Sequence, residues 1–394
     1  MILRITDSIK ILIILYREFS LSMIVMRFKI LLKWLGLLLF LSSAPVNAQL
    51  LQDTTALNLV KKDIDYIYNL QFNNAREVYI KITSLYPGHP ILYLLRGIMT
   101  YWENYPMLHT SSFHVSFEED MHECIRLSEM NNKLASEAEY LLADLCARGM
   151  LLTFYADNDL IMEVTPLTIN TYKHLRRAFA LTSSCTDLYY FTGIYKYYRE
   201  AYPKIYPVYK SLAFLFPHGD METGLKELQK AAISSIVLGA ESAYLLSWIY
   251  LGLENNLPES LYYCSALHEK YPENELYLDI YLRNLLLMKK YDEAEKLISG
   301  SSVDEGNKYF QSQLIILKGI LQEKRYHNNK LAQEYYNKGI RDLSLFGDYG
   351  NEYAAYAYFG LSRVSDDDGE KHTRKIYRKE ALKLAEFKKI TFDR

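Results

Sequence analysis

A repeat of 34 residues in the C-terminal half of the chain constrains its fold most strongly. Between residues 241 and 300, two amphipathic helical segments are followed by Pro272 and then by two more segments of the same kind. Ser260 and Ala294 lie 34 residues apart, at equivalent places in these two halves. Self-similarity at a fixed period of about 20–50 residues indicates stacked copies of one supersecondary unit. We therefore expect paired helices that stack on one another.

The residue types at the repeated positions suit close helix pairing. A small residue at the Ser260/Ala294 position lets the second helix of a pair approach the first closely. Pro272 follows the end of a helical segment, where its missing N–H and fixed φ stop the helix. Each copy therefore carries its own packing position and its own terminator.

The same spacing recurs near the N-terminus, where Ala75, Tyr79 and Pro87 repeat the pattern and Gly97 follows ten residues after Pro87. The pattern resembles the tetratricopeptide-repeat family. This resemblance implies an all-α fold of helix-turn-helix repeats stacked into a right-handed superhelix, an α-solenoid. It places repeats at 49–110 and again at 236–394, where Gly319 with Ala332 and Gly360 with Ala381 are degenerate copies.

The middle of the chain, 111–235, is helical but departs from the repeat pattern and is rich in tyrosine. Asp220 is an expected N-cap, because its carboxylate can accept the free N–H groups of a helix start. The stretch 188–232, with Gly219, Asp220 and Gly224, is similar to the outer-membrane inclusion-clearance family of tetratricopeptide-like proteins. Helices are expected near 117–130, 136–155, 167–182, 186–200 and 220–236.

The N-terminal segment 26–48 has the features of a secretory signal peptide. Basic residues precede a short apolar run from Leu35 to Leu41, and Val46-Asn47-Ala48 places small residues at the cleavage site. We expect cleavage after Ala48, export to the periplasm or the outer-membrane surface, and a mature chain without a transmembrane segment. A buried or membrane-anchoring helix is the alternative. Residues 1–25 are expected to be an upstream stretch before the true start.

Composition excludes some classes of partner. The formal net charge is −2 and no basic stripe is present, so nucleic-acid binding is not expected. The four cysteines are far apart, unlike a metal-binding or disulfide-rich pattern. Cys124 and Cys146 are therefore expected to be buried thiols, with a disulfide between them as the alternative.

No catalytic motif is present, and neither a cofactor nor a metal is expected. A loose cluster of histidines and acids (His109, His114, Glu118, Glu119, Asp120 and His122) favours a solvated helix start over a metal site. Asp366-Asp367-Asp368-Gly369 lacks the other ligands of an EF-hand, which favours an acidic exposed turn. The chain is therefore predicted not to be an enzyme.

The most promising binding feature is a belt of tyrosines, which we call the Tyr belt. Two interpretations stay open: a core stripe between packed helices, or the wall of a binding groove. Tyr195, Tyr198 and Tyr202 follow the spacing i, i+3, i+7 and so share one helix face. The belt consists of Tyr189, Tyr190, Tyr195, Tyr197, Tyr198, Tyr202, Tyr206 and Tyr209, and its candidate surface residues are Tyr195, Tyr198, Tyr202, Tyr206 and Tyr209.

Two binding functions are consistent with these sequence features. The leading expectation is an exported scaffold that binds a protein or peptide on its concave surface. The alternative is a glycan- or small-ligand-binding protein of the envelope that uses the Tyr belt.

Overall fold

The chain separates into a unit of residues 1–52 and a compact unit of residues 53–394. Of the first unit, only a 3-10 turn at Leu50–Gln52 is described. The predicted signal peptide, its cleavage position and the upstream stretch lie outside the described residues. The computed structural model describes residues 50–130, 137–205, 216–300, 306–367 and 369–393.

The described part of the second unit consists of helices and their connections, and contains no β-strand, which confirms the expected all-helical fold. All five helices predicted for the middle of the chain are present, between residues 113 and 234. The helices are α1 Thr54–Tyr68, α2 Phe72–Leu85, α3 Pro90–Glu103, α4 Phe113–Met130, α5 Glu137–Asp157, α6 Ile161–Leu181, α7 Leu188–Ile205, α8 Met221–Ser234, α9 Gly239–Trp248, α10 Leu257–Lys270, α11 Glu275–Leu287, α12 Tyr291–Gly300, α13 Lys308–Lys324, α14 Asn329–Leu343, α15 Asn351–Asp367 and α16 Lys371–Leu384.

Consecutive helices pack as pairs, and the pairs stack. The odd-numbered helices also contact one another along the stack, α1 with α3, α3 with α5, α11 with α13 and α13 with α15. The helices form because apolar residues recur at helical spacing; in α1 the buried face includes Ala56, Val60, Ile64 and Ile67. This arrangement is consistent with an α-solenoid.

The small residues identified in the repeats lie at the contacts between paired helices. Ala75, Ser260 and Ala294 have no exposed surface, whereas Pro87 and Pro272 lie in exposed connections between pairs. The Ser260 hydroxyl donates to the Ser247 carbonyl of the preceding helix at 2.7 Å. Tyr79 is half-buried, and a Cβ on the buried Gly97 would overlap Met121.

Two further glycines make room for a tyrosine between helices. The side chain of Tyr336 on α14 is fully buried and lies against Gly319 of α13 and Gly360 of α15. A Cβ at Gly319 would lie 2.8 Å from Cε1 of Tyr336, and a Cβ at Gly360 would overlap the same ring. The Tyr336 hydroxyl donates to Glu323 at 2.6 Å. In these degenerate copies, the glycines therefore leave space for the Tyr336 ring of α14.

In the middle of the chain, glycines bring α7 and α8 into contact. A Cβ on Gly224 would lie 2.6 Å from the Tyr197 backbone nitrogen and 2.9 Å from the Gly193 carbonyl oxygen. Asp220 accepts from the Thr223 N–H at 2.6 Å, which confirms the predicted N-cap of α8.

Two asparagine N-caps join the N-terminal helices to the C-terminal ones. Asn274 accepts from two backbone N–H groups at the start of α11, and its amide nitrogen donates to the Tyr68 carbonyl at 2.7 Å. Asn307 caps α13 and donates to the carbonyl of Tyr105, just after α3. The first helices thus contact the pairs formed by α11 and α13, and the second unit closes on itself.

All four cysteines lie among the described residues and are free thiols. Cys124 and Cys146 are buried, and Cys124 donates to the Ala143 carbonyl at 3.5 Å. The alternative disulfide between them is therefore not formed. Among the described residues, no helix is both long enough and apolar enough to cross a bilayer.

Candidate functional site

The closed unit surrounds a cavity of about 930 Å³ that is lined by residues of α1, α3, α5, α6, α7, α9 and α11. Most of the lining groups are apolar or aromatic. Ligand sites in proteins are commonly concave, mainly apolar and of this size. The cavity is therefore the leading candidate site in the described part of the chain.

Aromatic rings that hold one another in place form the deep wall of the cavity. Trp102 contacts Tyr68 edge-on at 5.7 Å, stacks on Tyr105 at 5.6 Å, and meets Tyr277 edge-on at 6.0 Å between centroids. Tyr105 also stacks on Phe310 of α13 at 5.7 Å. Because these rings come from both ends of the second unit, the wall exists only when the unit is closed.

The structure places four residues of the Tyr belt in the cavity wall: Tyr190 and three of the candidate surface residues, Tyr195, Tyr198 and Tyr202. The Tyr195 hydroxyl donates to the Pro217 carbonyl at 2.7 Å, and Tyr202 is 45% exposed at the rim. Tyr197, on the opposite face of α7, is fully buried in the core between α7, α8 and α9. Tyr206 and Tyr209 lie outside the described residues.

Two acids interrupt the apolar wall. Glu241 at the start of α9 accepts from the Tyr68 hydroxyl at 3.0 Å, and burial raises the pKa of its carboxyl. Asp157 at the end of α5 lines the cavity, and its side chain is exposed there. The protein atoms packed around the cavity partly desolvate its carboxyl and raise its pKa to about 6, although a hydrogen bond from Tyr349 acts in the opposite direction.

Helix α6 forms a loosely packed side of the site. Of its 21 residues only Ala178 is fully buried. Ile169 and Tyr172 line the cavity, and Ile169 is 60% exposed. Ile161 and Met162 at the start of the helix are exposed as well. Few buried contacts hold this helix, which makes α6 the least tightly fixed wall.

A buried arginine lies behind the deep wall. Arg283 on α11 has no exposed surface, and its guanidinium sits 4.0 Å above the ring of Trp248. None of its guanidinium nitrogens meets hydrogen-bond geometry within the described residues, although the Tyr356 hydroxyl is close. Burial raises the pKa values of Asp279 and Glu352, two acids nearby, to about 7.

Four members of the histidine and acid cluster near residue 114, Glu118, Glu119, Asp120 and His122, line an open surface groove of about 820 Å³. Asp120 accepts from Arg96 at 2.9 and 2.8 Å, and Glu118 lies 2.8 Å from His114 Nδ1. His109 stacks on His114 at 5.0 Å, and Glu119 and His122 are also on this surface. These side chains do not converge in a closed pocket.

Among the described residues, one group of side chains lies close enough together to hold a metal ion: Glu129, Asp144 and His174. His174 Nδ1 lies 2.7 Å from Asp144. The buried Arg148 already contacts both acids, Asp144 at 2.9 Å and Glu129 at 2.7 Å. The cluster is therefore an ionic network in which arginine supplies the positive charge.

The acids of the turn near residue 367 also pair with other residues of the same chain. Asp366 pairs with Arg374 at 3.0 Å, and Asp367 accepts from Asn329 at 3.2 Å. Gly369 adopts a positive φ of 77°, which glycine tolerates without strain. Asp368 lies outside the described residues.

Sequence reasoning missed most of the deep wall, including Asp157, Glu241 and Trp102. A signal was present, because α3 and α9 carry apolar or aromatic residues around most of their circumference, as helices covered on several sides do. The acid Glu241 at the start of α9 was a second signal. Neither signal indicates which residues meet across the closed unit.

No protein-family model matches this chain, and no curated protein matches it significantly.

Proposed function

We propose that this protein binds an apolar ligand inside the cavity and does not catalyse a reaction. The observation that carries this proposal is the aromatic-lined cavity of about 930 Å³. We call the helices that line it, α1, α3, α5, α6, α7, α9 and α11, the inner helices. Rigid aromatic side chains provide large contact areas at low entropic cost. The geometry therefore favours the small-ligand alternative over a peptide lying on an open concave surface.

We further propose that the stack is a tetratricopeptide-like right-handed superhelix. Its support is the 34-residue spacing of Ser260 and Ala294 and the burial of both side chains between paired helices. The closure by Asn274 and Asn307 distinguishes this unit from an open array. In this proposal the inner helices bind the ligand and the outer helices support them.

We also propose that the chain is exported and binds its ligand in the periplasm or at the outer membrane. The support is the signal-like segment 26–48. N-terminal sequencing of the mature protein tests this, with Gln49 expected as the first residue. A mature chain that begins upstream of residue 26 would contradict both the cleavage and the expected start.

Cavity binding can be tested with a variant that places a side chain in the cavity. Gly149 of α5 lines the cavity, and a Cβ there would meet only Phe191, at an ordinary contact distance of 3.9 Å. Gly149→Leu should therefore place a side chain in the cavity without a backbone clash and raise helix propensity. We expect weaker binding of the neutral dye 1-N-phenylnaphthylamine, with an unchanged or higher melting temperature.

Gly300→Leu is the matched control, because a Cβ at Gly300 meets no atom within 4 Å and Gly300 does not line the cavity. It should bind the dye as the parent protein does. Equal binding by the parent and by Gly149→Leu would show that the dye binds elsewhere. Absence of dye binding to the parent would contradict the proposed function for this probe class.

A protein or peptide partner is the second candidate, favoured by the exposed apolar residues Ile161, Met162 and Ile169 of α6. Scattered exposed apolar residues are common, but three on one loosely packed helix form a candidate contact surface. Capture of a partner from the envelope fraction by the parent, and not by an Ile161→Glu/Met162→Glu variant, tests this candidate.

A further inference from the structure

The charged groups that line the cavity are mostly acidic. Among the described lining residues Asp157 and Glu241 are the carboxylates, and Arg199 is the only base. Arg199 is already engaged, because it pairs with Glu200 at 3.1 Å and donates to the Phe216 carbonyl at 3.3 Å. The wall therefore offers negative charge without a free positive partner.

The surroundings of the two acids do not neutralise them. Tyrosines and one further acid face Asp157: Tyr101 and Tyr105 on the α3 side, Tyr309 on α13, Tyr349 before α15, and Glu386 after α16. The titratable groups facing Glu241 are Tyr68, Tyr101, Cys146, Tyr190, Tyr244 and Tyr277. Tyr101 faces both acids and joins them into one electronegative region.

The nearest buried cation does not change this balance. Arg283 lies behind Tyr244 and carries one positive charge, whereas Asp279, Glu352 and Glu386 surround it. Aromatic faces add to the effect, because the ring quadrupole presents its negative side to a group lying over the ring. Apolar walls, aromatic faces and carboxylates without a basic partner together are the features that recognise organic cations.

We propose, on the basis of the proposed function, that the ligand is an organic cation: an apolar body with a protonated amine or a quaternary ammonium that is held between Asp157, Glu241 and the ring of Tyr101. The apolar part lies along the Tyr belt residues Tyr195 and Tyr198. The positive group of the ligand supplies the counter-charge that the two acids lack.

The proposal predicts a pH dependence of binding. Because the pKa of Asp157 is raised to about 6, this carboxyl is ionised at pH 7.5 and protonated at pH 5. Burial raises the pKa of Glu241 in the same direction. Binding of a cation with a permanent charge should therefore weaken as the pH falls through about 6, whereas binding of a neutral analogue should not.

Three probes of equal chain length test the charge of the ligand: octyltrimethylammonium, octanol and octanoate. Binding is measured by titration calorimetry and by the change in tryptophan fluorescence, to which Trp102 in the cavity wall contributes. At pH 7.5 we expect octyltrimethylammonium to bind at least about tenfold more tightly than octanol, and octanoate to bind most weakly. Asp157→Asn should reduce this advantage about tenfold, whereas the exposed Asp366→Asn should leave it unchanged.

The outcomes separate this inference from the function on which it rests. Equal binding of all three probes, or tightest binding of octanoate, overturns the cation inference and leaves the cavity-binding function in place. Binding of octyltrimethylammonium that is unaffected by Asp157→Asn, Glu241→Gln and pH also overturns it. If none of the probes binds and the neutral dye does not bind either, the cavity-binding function fails as well.

Discussion

Asn274 and Tyr68 are joined by a buried hydrogen bond, in which the Asn274 amide nitrogen donates to the Tyr68 carbonyl at 2.7 Å. The same side chain caps α11 through its oxygen. Asn274→Asp should keep the cap and lose the donor, leaving the Tyr68 carbonyl without its partner beside a new negative charge. We expect the free energy of unfolding in urea to fall by about 1–3 kcal/mol.

Asn256→Asp is the control for this substitution. Asn256 caps α10 by accepting from the Glu259 N–H at 3.3 Å, and among the described residues it does not join α10 to another helix. An aspartate there should change the free energy of unfolding by less than about 0.5 kcal/mol, because both residues cap helices well. Similar losses in both variants would indicate that Asn274 acts only as a cap.

The contact between α7 and α8 should not accept a side chain at Gly224. A Cβ there would lie 2.6 Å from a backbone nitrogen, which cannot move away as a flexible side chain can. We expect Gly224→Ala to lower the free energy of unfolding by about 1–3 kcal/mol. Gly300→Ala, in open space, should instead raise it by about 0.5 kcal/mol. A neutral Gly224→Ala would show that the two helices separate without cost.

The buried Asp63 should make the protein less stable as the pH rises. Its carboxyl oxygens have no hydrogen-bond partner among the described residues, and burial raises its pKa from 3.8 to about 8. The folded state therefore binds a proton that the unfolded state releases above pH 4. This contribution favours folding most below pH 4 and declines as the pH rises to about 8.

Asp63→Asn removes this titration. At pH 7 it should raise the free energy of unfolding by about 2–4 kcal/mol, and at pH 4 by much less. Chemical denaturation at the two pH values measures the difference. Glu77→Gln, on the exposed face of α2, should have little effect at either pH. A gain for Asp63→Asn that is independent of pH would rule out ionisation as its cause.

Two tyrosines on opposite faces of α7 should respond differently to truncation. Tyr197 is fully buried and its hydroxyl donates to Glu254 at 2.5 Å, so Tyr197→Ala should cost about 3–5 kcal/mol. Tyr202 is 45% exposed at the cavity rim, so Tyr202→Ala should cost less than about 1 kcal/mol. Denaturation in urea compares them, and a large loss at Tyr202 would indicate a core role for the rim.

Local patterns allowed much of the fold to be predicted. The burial of Ala75, Ser260 and Ala294 follows from their spacing, and the cap at Asp220 follows from the residues after it. The contact that closes the second unit could not be predicted in this way. In sequence Asn274 looks like an ordinary N-cap, and its second hydrogen bond is made to the distant Tyr68 carbonyl. Local sequence specifies a helix start well, but it does not specify which remote backbone atom that start will meet.

The candidate site was predictable only in part for the same reason. The Tyr belt was identified from helical spacing, since Tyr195, Tyr198 and Tyr202 share one face of α7. The spacing left open whether that face meets another helix or a cavity. Asp157 gives no sign of its role in sequence, because its pKa depends on residues from other parts of the chain.

The closure between α1 and α11 also affects how the protein folds. In an open repeat array each unit contacts only its neighbours, so folding can start anywhere and the ends can fray alone. Here the Tyr68 and Tyr105 carbonyls receive their side-chain partners from Asn274 and Asn307. A chain that emerges N-terminus first must therefore wait until Asn307 has been made before both contacts can form. We therefore expect the cavity to be completed late in folding, with the aromatic surface of its early helices exposed until then.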